Sequence, residues 1–292
     1  MPDSVNSRKI VITARTLADL RRQVAGLRVP GKTKAAKVGF VPTMGALHDG
    51  HLQLVKHAKS LCDKVVVSIF VNPLQFAPTE DLDRYPRQEG KDVAMLQDVG
   101  CDLVYLPAPD VLYPEGFVSR IEMDGPAKGL ESDFRPQFFS GVATVVSKLF
   151  NQVRPDIAVF GEKDYQQLAV IRAMVRDFDM DIDVVGYPTV READGLALSS
   201  RNAYLNAAER AIAPKLFEAL QRVRDAARTN EDIGKAIEQA KRDLVDSGFD
   251  RIDYLAVRDA DTLGDLTADS RIGRILVAAW LGKTRLIDNI SA

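Results

Sequence analysis

Short apolar runs rich in β-branched residues alternate with helix-patterned segments over the first two thirds of the chain, and this alternation narrows the possible folds more than any other feature. "KVGFVPT", "KVVVSIFV", "DLVYLPA", "DIAVFG" and "IDVVGYP" read as strands. "TLADLRRQVAGL", "GHLQLVKHAKSL", "KDVAMLQDVG", "GVATVVSKLFNQV" and "DYQQLAVIRAMVRDF" read as helices, the third of them ended by Gly100. Strands that are apolar at consecutive positions are covered on both faces, and strands separated by helices pair in parallel. The chain is therefore expected to be α/β, with a doubly wound parallel sheet that takes its ligands outside the carboxyl ends of the strands. After Pro188 the pattern changes. "NAAERAIAPKLFEALQRVRDAAR" and "NEDIGKAIEQAKRDLVDSG" are helical, and "RIDYLAVRD" and the hairpin-like "RILVAAWLGKTRLIDNI" follow. A smaller α+β domain is expected there. The division falls into 1–188 and 189–292, with a cleft between the two as the place for a ligand.

Composition excludes several classes. The 292 residues are 46% hydrophobic and 27% charged, far from disordered chains. A formal net charge of −2, with both signs interspersed, carries no footprint for nucleic acid or an anionic membrane. "VVVSIFV" and "ILVAAWL" fall well short of a membrane span, which takes about 20 residues. The N-terminal "MPDSVNSRKIVITART" lacks the apolar stretch of a secretory signal. Cys62 and Cys101 have no CxxC partner, so they read as structural thiols in a reducing compartment. A cytoplasmic protein that binds neither nucleic acid nor membrane is expected.

"GLRVPGKT", Gly26 to Thr33, matches the letters of a P-loop. A P-loop needs a strand before it and a helix after it, so that helix amides meet phosphate. Here a helix precedes and a strand follows, and the match reads as a connecting loop.

Four other patches carry chemistry. In "GFVPTMGALHDGHLQLVKHA" a strand ends, the chain turns through Met44, Gly45, Ala46 and Leu47, and a helix starts near Gly50. The amides and dipole of such a helix start favour phosphate. His48 and His51 lie about one turn apart and can face one anion, where imidazole N–H groups would stabilise developing charge. Two readings compete with this: ordinary capping and surface histidines, and a metal held by His48, Asp49 and His51, the latter disfavoured because adjacent residues do not readily converge on one tetrahedral ion. His57 reads as structural or exposed. "FGEKDYQQL" puts Lys163 at another strand-to-helix turn, followed by Gln166 and Gln167. "GLALSSRN" pairs two hydroxyls with Arg201, whose planar fork suits phosphate. "SIFVNPLQF" sets Asn72 and Gln75 after a strand. Taken alone, the second and third patches read equally as surface lysine and helix-start loop.

Taken together, "PTMGALHDGHLQLV", "FVNPLQF", "FGEKDYQQL" and "GLALSSRNAYL" resemble the pantothenate synthetase family in order and separation. The His-x-Gly-His element also resembles the wider nucleotidyltransferase superfamily. The resemblance implies a Rossmann-like domain and condensation of (R)-pantoate with β-alanine through a pantoyl adenylate, with ATP consumed and AMP and pyrophosphate released. It implies that Met44, Gly45, Ala46, Leu47, His48, Asp49, Gly50 and His51 hold ATP, with His51 the main catalytic imidazole and His48 beside it. Gly161, Glu162, Lys163 and Asp164, with Leu198, Ser199, Ser200 and Arg201, complete the nucleotide site, Lys163 and Arg201 being on the phosphates and Val190 near the adenine. Gln75 and Gln167 bind pantoate and β-alanine. Mg²⁺ is held mainly by phosphate oxygens, with Asp92 matching the family's acidic position for it, although its own context, "QEGKDVAML", reads equally as a helix surface. A homodimer is also implied. Two positions depart from the family pattern: Phe138 stands where relatives carry His in "RPxHFxGV", and Leu198 replaces a common Met. The first removes a polar group on the pantoate side. Two rivals remain: a transferase that keeps a nucleotidyl product, and a non-catalytic nucleotide-binding module on the same fold.

Overall fold

The computed structural model describes residues 10–29, 35–78, 80–229, 231–267, 270 and 272–292. In chain order it contains β1 (Ile12–Ala14), α1 (Leu17–Leu27), β2 (Val38–Thr43), α2 (Asp49–Leu61), β3 (Lys64–Ile69), α3 (Glu89–Asp98) and β4 (Leu103–Tyr105). The short α4 (Pro109–Leu112) and α5 (Glu131–Phe134) lead to α6 (Phe138–Val153), β5 (Ile157–Gly161), α7 (Tyr165–Asp177) and β6 (Asp183–Tyr187). The last third holds α8 (Ala207–Ile212), α9 (Lys215–Arg228), α10 (Ile233–Asp246), β7 (Arg251–Asp259), β8 (Gly273–Leu281) and β9 (Thr284–Ser291). Met1–Lys9, which include most of the stretch read for a signal, and Pro30–Thr33 of the P-loop-like match lie outside the described residues. On either side of that match stand helix α1 and strand β2, in the order that argued against a P-loop.

The first six strands form one parallel sheet in the order β1-β4-β3-β2-β5-β6. Strand alternation sorts each side chain to one of two cores. Val38 and Phe40 of β2, Val66 of β3, Leu103 and Tyr105 of β4 and Phe160 of β5 pack against α1, α6 and α7. Val41, Val65, Val67, Val104 and Val159 point the other way, onto Val55 and Ala58 of α2 and Leu96 of α3. Both faces are thus covered, which is why the strand sequences are apolar throughout. The order turns back on itself between β2 and β5. Their register pairs Gly39 with Ile157, so the two strands end level at Thr43 and Gly161. Such a reversal opens a crevice at the carboxyl edge.

The last three strands form an antiparallel sheet, β7-β8-β9. One face of it (Leu255, Val257, Ile275, Val277, Ala279) buries against Leu216, Leu220 and Val223 of α9 and Ala240 and Leu244 of α10. The α9 positions recur at helical spacing, so the stripe is a normal core face. Among the described residues no helix is long and apolar enough to cross a membrane. Two local features escaped the sequence pattern. β1 is a three-residue edge strand on β4. The stretch read from Asn206 to Arg228 as helical is split between α8 and α9 at Ala213 and Pro214, because proline lacks the amide that would continue the ladder.

Candidate active site

A cavity of about 730 Å³ opens at the carboxyl edge of the parallel sheet and reaches the second sheet. The loop after β2 brings Met44, His48, Gly50 and His51 to its wall, and the turn after β5 brings Lys163 and Asp164. Gln75 follows β3, Gln167 lies in the first turn of α7, and Val190 follows β6. Leu198, Ser199, Ser200 and Arg201 come from the segment between the two sheets. Residues as distant in sequence as Met44 and Arg201 therefore meet in one place.

The histidine loop is held from behind. Gly45 (φ +82°) and Ala46 (φ +51°) are both left-handed, which turns the strand sharply toward α2. The buried carboxylate of Asp92 on α3 accepts the Ala46 amide (2.9 Å) through Oδ2 and the Leu47 amide (2.9 Å) through Oδ1. Asp92, expected as an acidic position for Mg²⁺, stands outside the cavity lining with both oxygens engaged by amide donors. Replacing it with Asn would turn one buried N–H toward another. Asp92→Asn is expected to cost about 1–3 kcal/mol, read as a lower urea midpoint. A changed Mg²⁺ requirement at unchanged stability would return it to the metal.

His48 is the N-cap of α2 in extended conformation, and its ring stands 4.1 Å, centroid to centroid, from that of His51. Gly50 makes room for that ring: a Cβ there would lie 2.9 Å from His48 Nδ1 and Cε1. The His48 amide donates to His51 Nδ1 at 3.3 Å. A neutral His51 so arranged carries its proton on Nε2 and keeps it as a donor. His48 Nδ1 is buried without a hydrogen-bond partner among the described residues. Burial, then the nearby Lys163 ammonium, pushes the His48 pKa down from 6.5 to about 4. Burial, then His48 and Lys163, pushes His51 down to about 3.

Both imidazoles are therefore neutral at neutral pH. As pH falls below 6.5 the unfolded chain takes up these protons first, so this contribution to stability is complete above about 6.5 and is lost toward pH 4 and 3. Stability of a His48→Gln/His51→Gln variant is expected to fall less steeply between pH 6.5 and 4 than that of the parent chain. Denaturant titrations at several pH values check this, and equal slopes would refute it.

Charges around the cavity come in pairs. Arg201 makes a two-point contact with Asp81 (3.0 and 3.2 Å), and Arg135 makes one with Glu80 (2.6 and 2.7 Å). Lys163 Nζ lies 4.0 Å from Asp164 Oδ2, too far for a hydrogen bond. The Ser200 hydroxyl donates to the Ala46 carbonyl (3.0 Å) and ties its segment to the histidine loop. Gln75 is buried, its Nε2 3.0 Å from Met44 Sδ and its Oε1 accepting from Asn72 (3.1 Å). Phe138 opens α6 in the cavity wall, with the Arg135 guanidinium 3.8 Å above its ring. At this departure from the expected pattern the chain has a cation resting on an aromatic face.

Not every expected residue faces the cavity. Gly45, Ala46 and Leu47 lie behind the wall, and Asp49 is exposed on the first turn of α2. The Glu162 carboxylate is turned to Arg274 at 3.1 Å. Gln166 reaches the cavity lining, but its amide is spent on the 126–131 segment, bonding the carbonyls of Pro126 and Gly129 and the amide of Glu131. His57 stacks near Tyr187 at 5.0 Å, away from the lining. Sequence reasoning missed Asp81, Glu80, Arg135, Glu131 and Arg285, all of which line the cavity. Their partners lie far away in the chain, so no local spacing marks them.

The pantoate–β-alanine ligase family model matches residues 12–291. The chain belongs to the pantoate–β-alanine ligase family. It is 51% identical over 289 residues to a pantothenate synthetase of Mesorhizobium japonicum, covering 99% of this chain and 97% of that one. It is 55% identical over 280 residues to one from a Bradyrhizobium species, with 95% and 97% covered. Among solved structures, the pantothenate synthetase of Thermus thermophilus superposes with a TM-score of 0.87 at 46% identity, covering 96% of this chain and 99% of that one. The pantoate–β-alanine ligase of Francisella tularensis, solved in complex with β,γ-ATP and β-alanine, gives 0.80 at 36% identity, with 96% and 97% covered. Family membership thus spans both sheets of this chain, including the C-terminal third.

Proposed function

We propose that this chain joins (R)-pantoate to β-alanine at the expense of ATP, through a pantoyl adenylate, with release of AMP and pyrophosphate. The observation that carries the reading is the meeting of His48, His51, Lys163 and Ser199–Arg201 with Gln75 and Gln167 in one cavity of a family member. A pantoate carboxylate oxygen attacks the α-phosphorus of ATP and pyrophosphate departs. The β-alanine amine then attacks the acyl carbon, AMP leaves with the bonding pair, and the amine proton is released. Neither step needs a protein nucleophile. Both need donors and positive charge around phosphoryl oxygens in a site shielded from water.

In this reading His51 Nε2–H, with His48 beside it, stabilises charge on the α-phosphoryl group. Lys163 and Arg201 neutralise the phosphates, and ATP competes with Asp81 for Arg201. Gln75 and Gln167 orient pantoate and β-alanine, and Val190 and Leu198 flank the base. The boundary near residue 188 separates a nucleotide- and pantoate-binding unit from one that closes over it.

Among the described residues no group of three or more His, Cys, Asp or Glu side chains could hold a metal ion. In this reading Mg²⁺ enters with ATP as substrate, mainly on phosphate oxygens and water. The unpaired Cys62 and the buried Cys101, whose thiol burial pushes up to about 12, suit a reducing cytoplasm. Dimerisation is carried over from the family, and molar mass by light scattering tests it.

The test of the function is pantoate-dependent exchange of labelled pyrophosphate into ATP, with Mg²⁺ and without β-alanine. Exchange that requires pantoate supports the adenylate step, and added β-alanine should then release AMP. ATP binding without exchange or turnover would favour the non-catalytic alternative.

A further inference from the structure

The turn that carries Lys163 is gripped from the other sheet. Asn289 of β9 is 2% exposed, and its Nδ2 donates to the carbonyls of Glu162 (2.9 Å) and Lys163 (2.8 Å). Its Oδ1 accepts from Arg274 Nε at 2.7 Å. Those partners fix which way the amide lies, since a flipped group would face two carbonyls with its oxygen and a guanidinium with its N–H groups. Arg274 also bonds Glu162 Oε2 at 3.1 Å and lies over the Tyr165 ring at 4.0 Å, so it holds the same turn from both flanks. The backbone under Asn289 is held in turn. Arg191 donates to the Asn289 carbonyl at 3.3 Å while pairing with Asp288 at 2.6 and 2.9 Å. Arg191 directly follows Val190 in the cavity wall. The Lys163 side chain has its nearest carboxylate 4.0 Å away, beyond hydrogen-bond range, so the turn beneath it is what fixes where its stem enters the cavity.

We propose that Asn289 is a positioning residue for Lys163, aiming its ammonium at the phosphates by holding the two carbonyls of its turn. The proposal rests on the assignment of Lys163 made above. It makes the adenylate step depend on a buried amide of the second sheet that borders the same cavity and spends both its N–H groups and its oxygen on protein partners. Simple loss of packing would lower stability without regard to what stands at position 163. An effect exerted through Lys163 must vanish once the ammonium is gone.

The experiment is a double-mutant cycle in pantoate-dependent pyrophosphate exchange, with the melting temperature of every variant measured alongside. Asn289→Asp keeps the shape and the Arg274 contact but sets an oxygen against the two carbonyls. Its kcat for exchange is expected to fall about tenfold, because displacing a charge-stabilising group by less than an ångström costs of that order. The KM for pantoate should stay within about twofold, since that substrate is held elsewhere. Lys163→Ala should lose about 10²-fold, and Asn289→Asp should cost it no more than about twofold further. Additive losses, or a folded Asn289→Asp with the parent kcat, overturn the proposal. If Asn289→Asp melts below the assay temperature, Asn289→Ser, which removes the two N–H donors without adding a charge and leaves Arg274 on Glu162 and Tyr165, goes through the same cycle under the same criteria. A fully active Lys163→Ala would remove the lysine's role and this proposal with it. A severe Lys163→Ala with additive losses sinks the proposal alone.

Discussion

His51→Ala is expected to lower kcat for pantoate-dependent pyrophosphate exchange by about 10²–10³-fold, since one preorganised donor in a water-poor site is worth that much. Its Nδ1 accepts the His48 amide, which leaves Nε2 to donate, and its pKa of about 3 keeps the ring neutral over the working range. A donor tuned in this way stabilises charge that forms only at the transition state, so KM for ATP should rise far less than kcat falls. His51→Gln, which retains a side-chain donor, should recover part of the loss. His51→Ala with unchanged kcat would remove the ring from the chemistry. A loss confined to KM would make it a binding group only.

Glu131→Gln is expected to lower stability by about 3–5 kcal/mol, the usual cost of breaking a buried ion pair from one side. Glu131 on α5 is 5% exposed and accepts from Arg285 Nη1 through both oxygens (2.8 Å each) and from the Tyr254 hydroxyl (2.7 Å). Burial, and then the adjacent Glu131, hold the Tyr254 pKa well above its ordinary value, so that hydroxyl remains a donor. Arg285 also binds Asp253 (2.7 Å), yet its Nη2 is buried without a partner among the described residues. Neutralising Glu131 thus leaves a guanidinium that already lacks one bond and cannot shed its proton. The urea midpoint and melting temperature read the effect. A loss below about 1 kcal/mol would class the contact with exposed pairs and refute the assignment.

The two predictions differ in how far the sequence could have led to them. His51 stands three residues from His48 behind a strand end, and helical geometry alone brings the rings together. Nothing in "GLESDF" points to Arg285, which lies 154 positions further on. Asp92 shows the same limit from the other side. The family resemblance suggests a metal position there while the local pattern reads equally as a helix surface, and only the packing of α3 behind the loop after β2 shows it as an acceptor for two amides. Lys163 was legible as a cation at a strand end, but its grip by Asn289 spans 126 positions. β1 was illegible for a simpler reason: three residues are too few to show a period.

The layer order, the parallel sheet and the patches at the strand ends could all be read from the amino acids in a row. They follow from periodicity and chain direction, which act over a few residues and need no knowledge of what packs against them. Packing in three dimensions chose which of those patches share a cavity, which carboxylates face cations and which face amides, and how the second sheet grips the first. Those outcomes depend on burial and on partners far away in the chain, and it is burial that makes a charge or an amide costly to leave unpaired.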